Sequence, residues 1–498
     1  MRMTDSMRYR RPPPVRKRKR ARVETPAVAE RRAAGDLGPP PGDAADSISL
    51  IPDAILGEIV SLLPIKDGAR TQVLASRWRH IWGSAPLNLD CSSLSAPRTC
   101  GQPIQDPNLD QVVLRILAAH QGPGRRLCVP ADYDFAAVEA WFSSPAVNNL
   151  QQLEFYYAPC HEPPGAANSS WRGPVVPPAP ASTFRFAATL SLANIGKCHL
   201  PDNTVQGLHF PNLKHLALHW VRITECSIHS LIAKCPALEC LLIYSIVGFR
   251  CLRINAVRLR SIGVRMRRNY NWLRALRLKE LVIENAPCLE RLLRFDPFDG
   301  VQVSVISAPK LETLGLVDYA DASCPKIIKI ALFCITCLMK GLGADSLTTA
   351  RLVKILAVHI PLLDLDTVIE LMRCFPCLEK LYIQDESDPK NFWRRKHKKL
   401  IGCLDIHLKT IVFETYHGIV SDVNFASFFV LNAKELDLMT IHVETIDEKF
   451  IARQKKLLQL HKKASRGARF HFTTDRCLRD IGDISDVCDL DLTDPFVR

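Results

Sequence analysis

The amino-acid sequence predicts an α/β protein in three parts: a small helical unit, an irregular repeat solenoid and a C-terminal cap. Three observations carry this. A compact apolar segment begins abruptly at Ser47, after a basic, proline-rich tail. One short apolar phrase then returns again and again between Leu213 and Ile383. A second run of apolar and aromatic residues follows, from Leu408 to Leu458.

The tail comes first. Residues 1–45 hold seven prolines and hardly any large apolar side chains, too little to bury against the entropy of ordering, so disorder is expected. Residues 1–35 carry twelve Arg/Lys against three Asp/Glu, while the whole chain of 498 residues has a net charge of +14. The high charge therefore describes the tail more than the fold. Arg16, Lys17, Arg18, Lys19 and Arg20 form its densest cluster. On a flexible segment this suits the acidic groove of a nuclear import receptor, or phosphate backbones. The bland alternative is a solubilising tail. The expected location is the nucleus, with the cytoplasm alongside.

From Ile48 to Trp82 the chain reads as three short helices. Pro52 fits a first helical turn, where a missing N–H costs nothing. Ile55, Leu56, Ile59, Val60 and Leu63 then form one apolar helical face. Pro64 ends that helix, Asp67 can cap a second, and Trp78, Ile81 and Trp82 mark a third. So small a unit cannot bury this much apolar surface by itself, so part of it is expected to face a partner.

The repeated phrase is L-x-x-L-x-L. It occurs at Leu213, Leu216, Leu218; Leu238, Leu241, Ile243; Leu259, Ile262, Val264; Leu278, Leu281, Ile283; Leu311, Leu314, Leu316; and Leu378, Leu381, Ile383. The first four copies are 25, 21 and 19 residues apart, and a proline often precedes the phrase, as in Phe210-Pro211 and Phe375-Pro376. This is the signature of leucine-rich repeats, each giving one short strand that must stack on its neighbours to bury its face. The long step from Ile283 to Leu311 predicts an imperfect solenoid. Seven prolines over 159–182 predict an exposed, flexible insertion.

Two family resemblances follow. Ile51-Pro52-Asp53-Ala54-Ile55-Leu56, with Lys66, Asp67, Arg70, Thr71, Val73, Leu74, Arg77, Trp78, Arg79, Ile81 and Trp82 in register, closely resembles the F-box of plant proteins that continue into leucine-rich repeats. Ala75 stands where that family usually has Ser. Leu408 to Phe413, Phe425 to Ala433, Leu436 to Ile441 and Gln454 to Leu458 together resemble the FBD domain that accompanies F-boxes and repeats in plants. The expected order is therefore a disordered basic tail over 1–45, an F-box over 46–90, a repeat solenoid over 91–385, an FBD-like domain over 395–475 and an acidic tail over 476–498.

The F-box resemblance implies a substrate-recognition adaptor of an SCF-type (Skp–cullin–F-box) ubiquitin ligase. The F-box would dock on the Skp adaptor and, through it, on a cullin, while the repeats hold a target protein. No catalytic residue, cofactor or metal is needed, because the adaptor acts by proximity. The Skp-binding candidates are Pro52, Ile55, Leu56, Ile59, Val73, Leu74, Trp78 and Trp82. The alternatives are a repeat scaffold without ligase engagement and a nuclear nucleic-acid-binding protein.

Other chemistry is weaker. Residues 250–279 hold ten basic residues and no acidic one, and Arg265, Arg267 and Arg268 are the candidates for binding an acidic target, against a plain solvated arc. Nucleic acid is the less favoured partner. Cys334/Cys337 and Cys374/Cys377 are separated by 36 residues, too many for a zinc ribbon. His215 and His219 are expected to be structural. The longest apolar run, 330–339, is about half the ~18 residues of a membrane span, so no membrane is expected. The last 24 residues hold seven Asp against three Arg, and either cover basic surface or stay mobile.

Overall fold

A computed structural model describes residues 48, 50–94, 107–129, 135–156, 177–266, 277–294, 301–318, 352–360, 372, 375–385, 406–475 and 486–497. The chain divides into two compact units, Met1–Pro52 and Asp53–Arg498. In the first, the Ile51 N–H donates to the Ile48 carbonyl at 3.1 Å, closing a turn. The cluster Arg16, Lys17, Arg18, Lys19 and Arg20 lies outside the described residues.

The second unit opens with three helices, α1 (Asp53–Ser61), α2 (Ile65–Arg70) and α3 (Ser76–Ser84), with a 3₁₀ turn at Thr71–Val73 between the last two. Strands follow: β1 (Leu87–Asp90), β2 (Gly124–Val129), β3 (Gln152–Tyr156), β4 (Leu192–Gly196), β5 (His215–His219), β6 (Cys240–Tyr244), β7 (Cys251–Asn255), β8 (Ser261–Arg265) and β9 (Glu280–Asn285). Then come β10 (Arg291–Arg294), β11 (Gln302–Val305), β12 (Thr313–Asp318), β13 (Ile355–Ile360), β14 (Lys380–Asp385), β15 (Thr410–Phe413), β16 (Leu438–His442) and β17 (Arg469–Thr473).

Fourteen of these strands form one sheet, in chain order except that β7, β9 and β11 are left out. Neighbours pair in parallel throughout, with Leu216 opposite Leu241 and Leu241 opposite Ile262. Such step-by-step parallel pairing is what stacked repeats produce. Alternate residues explain the phrase. Leu216 and Leu218, Leu241 and Ile243, and Leu381 and Ile383 point into one continuous core that runs the length of the sheet, while Ala217, Leu242 and Tyr382 point to the other face. The prolines act at the strand entrance. In 235–238 and 375–378 the Leu N–H donates to the carbonyl three residues back, at 3.1 and 3.2 Å, and the proline occupies the second position of the turn, where its fixed φ fits.

The charged residue just before each of these strands, Glu in some repeats and Lys or Arg in their neighbours, adds a second regularity. Lys214–Glu239 (3.3 Å), Arg260–Glu290 (3.1 Å), Lys354–Glu312 (2.8 Å) and Lys409–Glu379 (2.9 Å) pair adjacent repeats at the strand entrances. Gly248 closes another turn. Its φ is +120°, and a Cβ there would lie 2.0 Å from the Ile223 carbonyl oxygen, so no other residue fits.

The fold corrects three expectations. The phrase at Leu278, Leu281 and Ile283 is not in the main sheet. It forms β9, the centre of a three-stranded parallel sheet with β7 and β11 that closes the same core from the return side. The main-sheet repeat is 286–289, another proline turn, leading into Leu292 on β10; the long step to Leu311 is thereby filled. Second, the end of the proline-rich insertion is ordered. Pro178 bridges His199, Ala179 and Pro180 are buried, and Ala181–Phe186 is a 3₁₀ helix that buries Phe186. Residues 159–176 lie outside the described set. Third, β1 belongs to the sheet, although it falls within the span 46–90 assigned to the helical unit.

The C-terminal region continues the sheet. β15, β16 and β17 pair onto β14 in turn, and the helix Val420–Asn432 buries Phe425, Phe428 and Phe429 into the common core.

Candidate functional site

The helical unit is anchored to the repeats by its own sequence. Ile65 enters the common core. Trp82 packs against the same core and sets its ring edge-on to His120, centroids 5.5 Å apart. A Cβ on Gly68 would lie 2.4 Å from Trp82 Cζ3, so glycine lets α2 lie directly on the indole. Asn88 of β1 donates its amide to the Ser61 carbonyl at 2.9 Å. Arg125 of β2 donates two bonds to the Glu58 carboxylate, at 2.8 and 2.7 Å, and holds that carboxyl below the usual glutamate range.

With its inner side docked in this way, the unit exposes a set of large apolar residues. Ile55 is 52% exposed, Ile59 48%, Leu62 79%, Val73 84% and Leu74 66%, while Leu56 on the same helix is 2% exposed. The α1 pattern read as one face is therefore two. Leu56 and Val60 point inward; Ile55, Ile59 and Leu63 point out, because one step along a helix turns the side chain by about 100°. Leu56 is thus corrected from a docking candidate to a core residue. Trp82 is likewise half-buried against the core, and Trp78 is half-buried. Pro52 is exposed and lies in the other unit. Leu62 and Leu63 are the exposed apolar residues that the candidate set left out. Their spacing of seven and eight from Ile55 was the available signal.

A second surface lies on the sheet face opposite the core. Its floor is Ala217, Cys240, Leu242, Leu293, Ala357, Tyr382 and Val412, and it is covered by Val487, Leu490 and Phe496 from the end of the chain. The acidic tail therefore returns over 486–497. Asp486 caps a 3₁₀ turn, Val487–Asp491, by accepting from the Cys488 N–H at 2.9 Å. Asp491 meets Arg291 at 3.2 Å and Arg260 at 3.7 Å. Asp494 meets Lys380 at 2.8 Å and accepts from the Tyr382 hydroxyl at 2.8 Å. Burial and that carboxylate push the Tyr382 phenol up. Phe496 stacks obliquely on Tyr382, centroids 5.3 Å apart.

Several described members of the basic stretch 250–279 are paired within the protein. Arg253 pairs with Glu284 at 2.9 Å, and Arg260 with Glu290 and Asp491. Arg265 is half-buried with its guanidinium 5.2 Å from the Tyr244 ring centre; Arg267 and Arg268 lie outside the described residues. His219 is buried on β5, and desolvation lowers its pKa to about 4. Cys198, Cys235 and Cys240 are buried thiols pushed up to about 12 by burial. Cys377 is exposed, and Cys334, Cys337 and Cys374 lie outside the described residues. Among the described residues no group of His, Cys, Asp or Glu could hold a metal ion, and no helix is long and apolar enough to cross a membrane.

Comparison with known proteins agrees with this architecture. The family described as FBD-associated F-box protein At5g56370, LRR repeats, matches residues 138–383, and the FBD family matches residues 396–441. The chain is 28% identical over 206 residues to F-box/FBD/LRR-repeat protein At1g13570 of Arabidopsis thaliana, covering 40% of this chain and 44% of that one. It is 24% identical over 438 residues to F-box/FBD/LRR-repeat protein At5g56420 of the same plant, covering 78% of this chain and 90% of that one. It is also 24% identical to putative F-box/LRR-repeat protein At3g18150, over 81% of this chain and 88% of that one.

Proposed function

We propose, from the kinship of this chain with the plant F-box/FBD/leucine-rich-repeat proteins, that it is a substrate-recognition adaptor of an SCF-type ubiquitin ligase. Helices α1 to α3 are its F-box. They dock on a Skp adaptor, which links them to a cullin, and the repeats present a target protein. The chain does no bond chemistry. It raises the concentration of target lysines near a ubiquitin-charged enzyme held elsewhere in the complex. The basic cluster from Arg16 to Arg20 directs it to the nucleus by binding an import receptor.

The observation that carries this reading is the exposure of Ile55, Ile59, Leu62, Val73 and Leu74 on so small a helical unit. Each such side chain contributes roughly 1.5–3 kcal/mol when fully buried. Three or four of them outweigh association costs of several kcal/mol. The anchoring through Ile65, Trp82 and Arg125 supports it further, since a receptor must hold its target at a fixed distance from the adaptor.

The test is co-precipitation from plant cells. The unaltered chain should bring down Skp and cullin, and the Ile59→Asp/Leu74→Asp chain should bring down neither. Recovery of neither partner by the unaltered chain would overturn the reading in favour of a scaffold without ligase engagement, and equal recovery by the two chains would remove Ile59 and Leu74 from the docking surface.

A further inference from the structure

The sheet face opposite the core has the composition of a binding surface. The floor is apolar, with Ala217, Leu293 and Ala357 in one buried cluster with the anchors of the tail. A Cβ on Gly315 would lie 3.1 Å from Phe496 Cζ, so the missing side chain makes the slot that the phenyl ring fills. Cations stand along the same face. Arg291 and Arg260 meet one carboxylate, and Lys380 with the Tyr382 hydroxyl meets another. Repeats as far apart as β5 and β15 contribute. The occupant adds no strand to the sheet and is the end of the chain. It docks through three apolar anchors and two aspartates, which is how a peptide ligand is read: buried anchors for affinity and charge pairs for register.

We propose that this face is the docking surface for an acidic, aromatic-anchored segment of the target protein, and that residues 486–496 occupy it in cis until such a segment displaces them. The proposal rests on the adaptor reading and names the chemistry of its target. A tethered segment acts at an effective concentration of order mM. A target must therefore bind in the low-micromolar range or better, or add contacts outside the tail's footprint, to take its place. Targets lacking carboxylates near an aromatic anchor are excluded. The apolar floor favours a protein over a nucleic acid, because phosphates would find the cations but nothing would fill the slot beside Gly315.

The test uses a fluorescent peptide of residues 486–498, the full chain, and a chain ending at residue 485. The shortened chain should bind the peptide at least ~10-fold more tightly than the full chain does. Lys380→Glu in the shortened chain should weaken binding about 10-fold, and a peptide carrying Asp494→Lys should recover most of that loss, as a charge pair requires. A full-length Asp494→Asn/Phe496→Ala chain, whose tail is released without being removed, should also gain peptide binding. A folded shortened chain that ignores the peptide, or binding indifferent to Lys380→Glu, overturns the proposal. So does unfolding of both the shortened and the Asp494→Asn/Phe496→Ala chains, which would make the tail an integral part of the fold. Displacement of the peptide by an oligouridylate would make the face a nucleic-acid site instead. Skp binding is measured on the same preparations: its loss with peptide binding intact overturns the adaptor reading alone, and the converse overturns this inference alone.

Discussion

Arg125 on the second repeat strand donates two hydrogen bonds to Glu58 on the first helix, at 2.8 and 2.7 Å. It joins residues 67 positions apart in sequence and fixes how α1 meets the solenoid. The pair is solvent-exposed, and exposed pairs contribute little to global stability. Arg125→Ala should leave the melting temperature almost unchanged. Amide hydrogen exchange over Asp53–Ser61 should nevertheless speed up, because α1 loses its outer tether. Unchanged exchange there would mean that Ile65, Trp82 and the Asn88–Ser61 bond hold the unit without Arg125.

Gly68 gives a sharper test of the same junction. With Trp82 Cζ3 at 2.4 Å from an added Cβ, Gly68→Ala forces either the helix or the indole to move. Overpacking of this kind costs about 1–3 kcal/mol. A urea titration should show the loss, and Trp82→Phe should recover part of it by opening space above α2.

Leu56 and Ile59 separate core from surface on one helix. Leu56→Ala should destabilise the protein by about 2–4 kcal/mol, as deletion of a buried leucine does. Ile59→Ala, half exposed, should cost under about 1 kcal/mol. Equal costs would place Ile59 in the core and remove it from the docking surface.

Acid should weaken the repeats through His219. Its pKa is lowered from 6.5 to about 4 by burial in β5, so between those values the unfolded chain binds a proton that the folded chain refuses. Stability is complete above about pH 6.5 and falls as pH drops towards 4, by up to about 3 kcal/mol from this one group. His219→Phe keeps a ring against Tyr244, 5.7 Å away in the native protein, and should flatten the acid limb of a stability–pH curve by one proton.

Local periodicity made most of the solenoid legible. The L-x-x-L-x-L phrase located β5, β6, β8, β12 and β14 because alternate residues of a strand share a face. It failed at Leu278, where the same pattern serves the return sheet, since a phrase of three apolar residues carries no information about which side of the core it covers. The proline turn at 286–289 was the better marker, because among the described residues the proline turns ending in leucine, at 210–213, 235–238, 308–311 and 375–378, lead into main-sheet strands. On α1 the pattern gave burial but merged two faces about 100° apart, and only the docking of α3 and β2 decides which is covered. The tail was the least legible part. Asp491 meets Arg291 across 200 positions of sequence, and an acidic, apolar-dotted terminus reads the same whether docked or free.

The exposed face of the helical unit is the proposed docking surface, and a calorimetric titration of the full-length protein with purified Skp adaptor tests that role most directly. Full length matters, because Ile65, Trp82 and Glu58 find their partners in the core and on Arg125, beyond the helices themselves. The expected result is one-to-one binding that Ile59→Asp/Leu74→Asp abolishes while the melting temperature stays within a few degrees. Binding that survives the double substitution, or no binding by the unaltered folded chain, would contradict it.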